Sequence, residues 1–144
     1  MNKRKILIAS LSIFVLATTA FAAEFTGPGK DGDPNVTISA SERRHNLYVA
    51  GANVSVNGEI TGDLFAAGGM VSVIGDVQED LFAAGGSLSL SGKVGGDARV
   101  AGGNITITSA VGGDLLIGGG NITITEKSSI GGDLVIGGGN VILD

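Results

Sequence analysis

Along most of this chain apolar and polar residues alternate in short runs, and the runs return with a fixed period. Five consecutive segments carry the pattern: Asn46–Gly62, Asp63–Glu79, Asp80–Gly96, Asp97–Gly113 and Asp114–Gly132. The first four are 17 residues long, and the fifth is longer by two around Glu126–Ser129. A partial unit, Asp133–Asp144, follows, and Asn35–His45 upstream matches the back half of a unit with one extra residue. Alternation of this kind is the period of a half-buried strand rather than of a helix. Leu64 and Ala66, then Leu81 and Ala83, fall on one inward face. Val71 and Val73, Ile105 and Ile107, and Ile122 and Ile124 fall on a second. A lone aliphatic (Ile60, Val77, Val94, Val111 or Ile130) completes each unit. Gly-Gly pairs such as 68–69, 85–86 and 112–113 separate the stretches. Glycine at such corners supplies a positive φ or lets two backbones approach closely.

Three short straight stretches joined by corners make one turn of a three-sided coil, and successive turns stack about 4.8 Å apart as parallel strands. One coil cannot bury its own apolar face, but several stacked coils share a continuous core. The expected fold is all-β: a single-stranded, three-sided β-helix or solenoid of about six coils over 35–144, right-handed by expectation. Ahead of it, Lys3, Arg4 and Lys5 precede an apolar run from Ile6 to Ala17 and an Ala20-Phe21-Ala22 end. Basic start, apolar middle and small-residue finish make a secretory signal over 1–22, cleaved after Ala22. Residues 23–34, with Pro28, Pro34 and three glycines, read as a flexible leader. The protein is therefore expected to be exported to the periplasm, cell envelope or extracellular space, and to touch membrane only if the signal is retained.

Composition narrows the chemistry. Removing Lys3, Arg4 and Lys5 leaves six basic residues against fourteen acidic ones, a net charge near −8. That excludes nucleic acid as the main partner. With no cysteine, disulfides cannot contribute even after export. The 26 glycines and high apolar content suit a repeat of tight turns.

Stacking turns each repeat position into a ladder. The first is Asn46, Asp63, Asp80, Asp97, Asp114 and Asp133. Closely stacked carboxylates are a weak candidate for a metal such as calcium. The favoured alternative is a corner aspartate accepting bonds from backbone N–H groups after the Gly-Gly turn. A second ladder, Tyr48, Phe65, Phe82, Arg99, Leu116 and Val135, lies between inward positions and should face outward. Its three aromatics form a candidate contact stripe for a partner. His45 is the only histidine, so no metal cluster or nucleophile–base pair can be built on a second histidine or cysteine. The expectation is a protein that is no enzyme and uses no cofactor.

The steps Gly92-Lys93-Val94-Gly95-Gly96-Asp97 and Ala110-Val111-Gly112-Gly113-Asp114, repeated over 35–144, resemble the bactofilin family of polymer-forming bacterial cytoskeletal proteins. The resemblance implies a right-handed triangular β-helix whose copies join end to end into non-polar filaments without nucleotide, as scaffolds for envelope proteins. Bactofilins are usually cytoplasmic, and the export signal departs from that. Physics points to assembly as well, because the end of a solenoid leaves backbone groups unpaired. Val141, Ile142 and Leu143 are the expected self-association surface, and Asn35–His45 the expected partial cap. The functional expectation is a self-assembling envelope scaffold. Its alternative is a non-catalytic module holding an envelope polysaccharide or partner protein on Tyr48, Phe65 and Phe82.

Overall fold

The structure, a computed structural model, describes residues 23–29 and 31–144; the expected signal segment 1–22 lies outside the described residues. Twelve strands and no helix are found there: β1 (Glu24–Thr26), β2 (Asn35–Ile38), β3 (Arg43–Arg44), β4 (Leu47–Val56), β5 (Glu59–Ile60), β6 (Leu64–Val73), β7 (Leu81–Leu90), β8 (Ala98–Ile107), β9 (Ala110–Val111), β10 (Leu115–Ile124), β11 (Ser129–Ile130) and β12 (Leu134–Leu143). The long strands stack in chain order, β4-β6-β7-β8-β10-β12, each pair parallel. The register follows the repeat: Leu64 pairs with Leu81, and Leu81 with Ala98. The result is a β-solenoid of about six turns with the spacing the period predicts.

Two stretches that the alternation separates form one continuous ten-residue strand that turns a corner. At that corner pairing passes from Gly51–Gly68 to Asn53–Met70 and skips a residue. The extra residue resets the alternation, so Leu47 and Val49 on one side and Val54 and Val56 on the other all point inward. The third side is short. Ile60, Val77, Val94 and Val111 continue one another by parallel bridges, flanked by β3–β5 and β9–β11.

Close approach, not positive φ, explains the corner glycines. Gly32 has the one positive glycine φ among the described residues, 77°, and it lies between β1 and β2, outside the repeated Gly-Gly corners. A Cβ on Gly92 would instead sit 2.0 Å from the carbonyl oxygen of Gly75 in the coil below. Ser109 occupies this column in the next coil, and above it the following coil opens into the Glu126–Lys127 turn, closed by a Ser128 N–H to Thr125 carbonyl bond of 2.9 Å. The hydroxyls of Ser109 and Thr125, both at this widening, are buried without a protein partner.

The core is a set of aliphatic columns. Leu47, Leu64, Leu81, Ala98 and Leu115 are fully buried, as are Val56, Val73, Leu90 and Ile107. Each fully buried Leu, Val or Ile contributes about 1.5–3 kcal/mol of transfer free energy.

The leader differs from expectation. Glu24, Phe25 and Thr26 pair in parallel with Leu47, Tyr48 and Val49, so residues expected to be flexible supply the first side of an additional coil. β2 supplies its second side against Asn53–Val56. Between them the Pro34 carbonyl accepts the Ala52 N–H at 2.7 Å. The one extra residue in Asn35–His45 is a net figure. From β2 to β3 this coil has two residues more than the next, closed by a Glu42 N–H to Ser39 carbonyl bond, and one fewer after Arg44.

Candidate functional site

Three surfaces carry chemistry. The first is the outward ladder on the β1–β4–β6–β7 side. Tyr48 and Phe65 stack with ring centroids 4.4 Å apart and planes 2° apart; Phe65 and Phe82 stack at 4.5 Å and 1°. Phe25 extends the column, 4.8 Å from Tyr48 and tilted by 23°. The Arg99 guanidinium closes the other end 5.1 Å from the Phe82 centroid. Arg99 also pairs with Asp97 at 3.1 Å and reaches Asp80 at 3.9 Å. Each stacked pair is worth about 0.5–1.5 kcal/mol beyond the area it buries. In-register parallel strands set the ring spacing, because identical outward positions repeat at the coil rise.

This stacking decides what the stripe can bind. The rings of Tyr48 and Phe65 are covered on both faces by neighbouring rings, and Phe82 lies between a ring and a guanidinium. A sugar docks on the face of an aromatic ring, and those faces are occupied. Ring edges and the adjacent small residues Ala50, Ala67, Ala84 and Ala101 remain, and together they line an open apolar trough of about 1140 Å³. Phe25, 79% exposed, is absent from the expected stripe. Its signal in the sequence is the alternation Glu24-Phe25-Thr26, hidden because both inward positions are polar and the path to Asn35 exceeds the repeat.

The second surface is the aspartate ladder. Oδ1 of Asn46 accepts the backbone N–H of Asp63 at 2.9 Å, and Oδ1 of Asp63 accepts that of Asp80 at 3.1 Å. Asp80 serves Asp97, Asp97 serves Asp114, and Asp114 serves Asp133 at 2.8–2.9 Å. The carboxylates thus accept backbone N–H groups, and the donor is the aspartate one coil on. The Gly-Asp pairing follows: a Cβ on Gly96, Gly113 or Gly132 would lie 2.1–2.3 Å from the preceding aspartate's Oδ1. Among the described residues no three His, Asp or Glu side chains converge to hold a metal ion.

The third surface is the pair of coil ends. At the amino-terminal end Glu24 stands in the Leu47 column and Arg44 in the Ile60 column. Arg44 bridges Glu24 and Glu42. Glu42, which also accepts the Ser39 N–H at 2.9 Å, is held below the ordinary carboxylate range by that backbone bond and by Arg44. The Arg44 guanidinium is pushed up by Glu42 first and Glu24 second. Beneath this network Leu47 and Ile60 are fully buried. At the other end three inward residues of β12 are bare: Leu134 is 41% exposed, Val141 40% and Leu143 60%, while Ile136 is partly buried against the core. Their counterparts one coil below, Leu115, Ile122 and Ile124, are buried. Ile142 and Val135 are exposed on the outer side of the same strand.

His45 contacts the Thr61 hydroxyl through Nδ1 at 3.1 Å. No protein-family model matches the chain, and no match is found among curated proteins or solved structures.

Proposed function

We propose that this chain is a structural, self-associating β-solenoid of the cell envelope, bactofilin-like in form and assembly, exported and without catalytic activity. The observation that carries the reading is the last coil. Leu134, Val141 and Leu143, whose counterparts Leu115, Ile122 and Ile124 on β10 are buried, lie open on β12 at the edge of the described sheet. Such an edge pairs readily with another chain. The solenoid needs neither nucleotide nor metal for this, because its contacts are aliphatic packing and backbone hydrogen bonds.

Sedimentation and negative-stain electron microscopy of the purified protein, without nucleotide or calcium, test the proposal. Ordered assemblies are expected. The double variant Val141→Lys, Leu143→Lys should give monomers with an unchanged β-type circular dichroism spectrum. Assembly of that variant as in the wild type would overturn the role of this edge.

A second reading rests on the apolar trough beside Phe25, Tyr48, Phe65 and Phe82. It favours a partner protein over a polysaccharide, since the ring faces of Tyr48 and Phe65 are occupied by neighbouring rings.

A further inference from the structure

One outward column on the second side of the coil carries a signature that stacking alone does not require. Asn35, Asn53, Met70, Ser87, Asn104, Asn121 and Asn140 pair in register from coil to coil. Four of them open the triplet Asn-x-Ser/Thr: Asn35-Val36-Thr37, Asn53-Val54-Ser55, Asn104-Ile105-Thr106 and Asn121-Ile122-Thr123. With any residue but proline in the middle, that triplet is the acceptor for N-linked glycans in exported proteins. Asn2, Asn46, Asn57 and Asn140 open no such triplet, so every sequon of the chain falls in this one column. The column's two halves are separable. Asn140 is followed two residues on by Ile142, an asparagine without a hydroxyl, whereas Met70 and Ser87 precede the hydroxyls of Ser72 and Ser89 without an asparagine.

The fold leaves these triplets open to a glycan. Their central residues Val36, Val54, Ile105 and Ile122 are buried in the core. Strand alternation therefore puts each asparagine and its hydroxyl together on the outer face, and all four asparagines are exposed. The strand segments 35–38, 53–56, 70–73, 87–90, 104–107 and 121–124 hold no charged residue, so a glycan on this side desolvates no ion. Nδ2 of Asn53 donates to Oδ1 of Asn35 at 2.6 Å, and Nδ2 of Asn121 donates to Oδ1 of Asn104 at 2.8 Å. Nδ2 of Asn35 donates to Oδ1 of Asp33 at 2.7 Å. An amide nitrogen has two hydrogens. A sugar replaces one of them and leaves the other for such a bond, so attachment is compatible with the stacked coils.

We propose that the second side is an N-glycosylated face, carrying one glycan on the Asn35/Asn53 pair and one on the Asn104/Asn121 pair. The members of a pair stand one coil rise apart, about 4.8 Å, and two glycans rooted that closely compete for the same space. In the transfer the anomeric carbon of a lipid-phosphate-linked oligosaccharide forms a bond to Nδ2. Its C–O bond to the phosphate breaks, the phosphate leaves with the bonding pair, and Nδ2 gives up one proton. The chain supplies the acceptor; the transferase and the donor belong to the export route, so the inference rests on the exported reading above. Glycans there would make the second side bulky and hydrophilic, leaving the trough beside Tyr48, Phe65 and Phe82 as the apolar side open to a partner.

The test is intact mass and glycopeptide fragmentation on the protein recovered from the cells that encode it, with its N-terminus read from the same sample. The expected mass exceeds that of the polypeptide by one glycan per pair. The combined variant Asn35→Gln, Asn53→Gln, Asn104→Gln, Asn121→Gln should return to the polypeptide mass. So should Thr37→Ala, Ser55→Ala, Thr106→Ala, Thr123→Ala, which keeps every asparagine. An excess that survives the second variant overturns the sequons as its origin. An exported, processed chain with no added mass overturns the glycosylated face and leaves export standing. An unprocessed chain inside the cell with no added mass overturns both. Both asparagines of one pair loaded on the same molecule overturn the limit of one. Glycopeptides of the wild type decide these points even where a variant fails to fold.

Discussion

The first and last coils are built on the same columns and end the stack in opposite ways. At the amino-terminal end the inward positions hold Glu24, Thr26 and Arg44, so the core is covered by a charged lid and Leu47 is fully buried. At the carboxy-terminal end the same positions hold Leu134, Ile136 and Ile130; Leu134 is exposed, and Ile136 and Ile130 are only partly buried. Each kind of end costs something. A lid of ions must satisfy its charges laterally, which Arg44 does by bridging two carboxylates. An apolar edge leaves hydrophobic surface and backbone groups in search of a partner. The difference teaches that the same inward columns can be closed by ion pairing or left open by aliphatic side chains, according to the few residues that occupy them.

The comparison can be broken most severely by placing one charge at two heights in the same stack. Leu81→Lys puts an ammonium into a column with no exposure and should cost at least about 4 kcal/mol, enough to unfold the central coils. Leu143→Lys, on the open edge, should leave the melting temperature of the monomer nearly unchanged. Thermal unfolding followed by circular dichroism reads both, and equal losses would deny that the last coil is open.

Phe65→Ala comes next. It removes two stacked contacts at once and should destabilise the chain by about 1–3 kcal/mol, whereas Phe25→Ala, at the exposed end of the same column, should cost less than half of that. Chemical denaturation of the two variants measures the ratio.

A smaller effect is expected from Arg44→Ala, which leaves Glu24 and Glu42 facing each other without their shared cation. Melting should fall on the order of 3 °C, with lost amide protection confined to β1 and β2.

The smallest effect is the response to acid. Glu42 has a folded-state affinity for protons below that of the unfolded chain, so its contribution is present above the ordinary carboxylate value of 4.5 and fades as the pH falls below it. Arg44, which also pairs with Glu24, faces it. Hydrogen exchange across that window should show β1 fraying before β10, and the reverse order would remove the lid from the account.

The solenoid itself was legible in the sequence, and particular residues show why. Val71 and Val73, or Ile105 and Ile107, alternate within a few residues, and their recurrence at 17 places them in columns without any knowledge of distant contacts. The outward ladder of Tyr48, Phe65 and Phe82 followed from the same parity. Phe25 did not, because the stretch from Thr26 to Asn35 interrupts the period and the inward neighbours of Phe25 are polar. The merging of two stretches into one ten-residue strand was also hidden, since the residue that turns the corner resets the alternation and looks like a break.

Periodicity by itself determined the coil, its repeat length and its inward columns, because alternation depends only on neighbours in sequence. Tertiary structure decided what each ladder does. The bond from an aspartate carboxylate to the next aspartate's N–H, the occupied ring faces of Tyr48 and Phe65, and the lid of Glu24, Arg44 and Glu42 all join residues on different coils or across an irregular corner. Their energies depend on axial distance and on what lies above and below, and the order of residues along one coil does not contain that information.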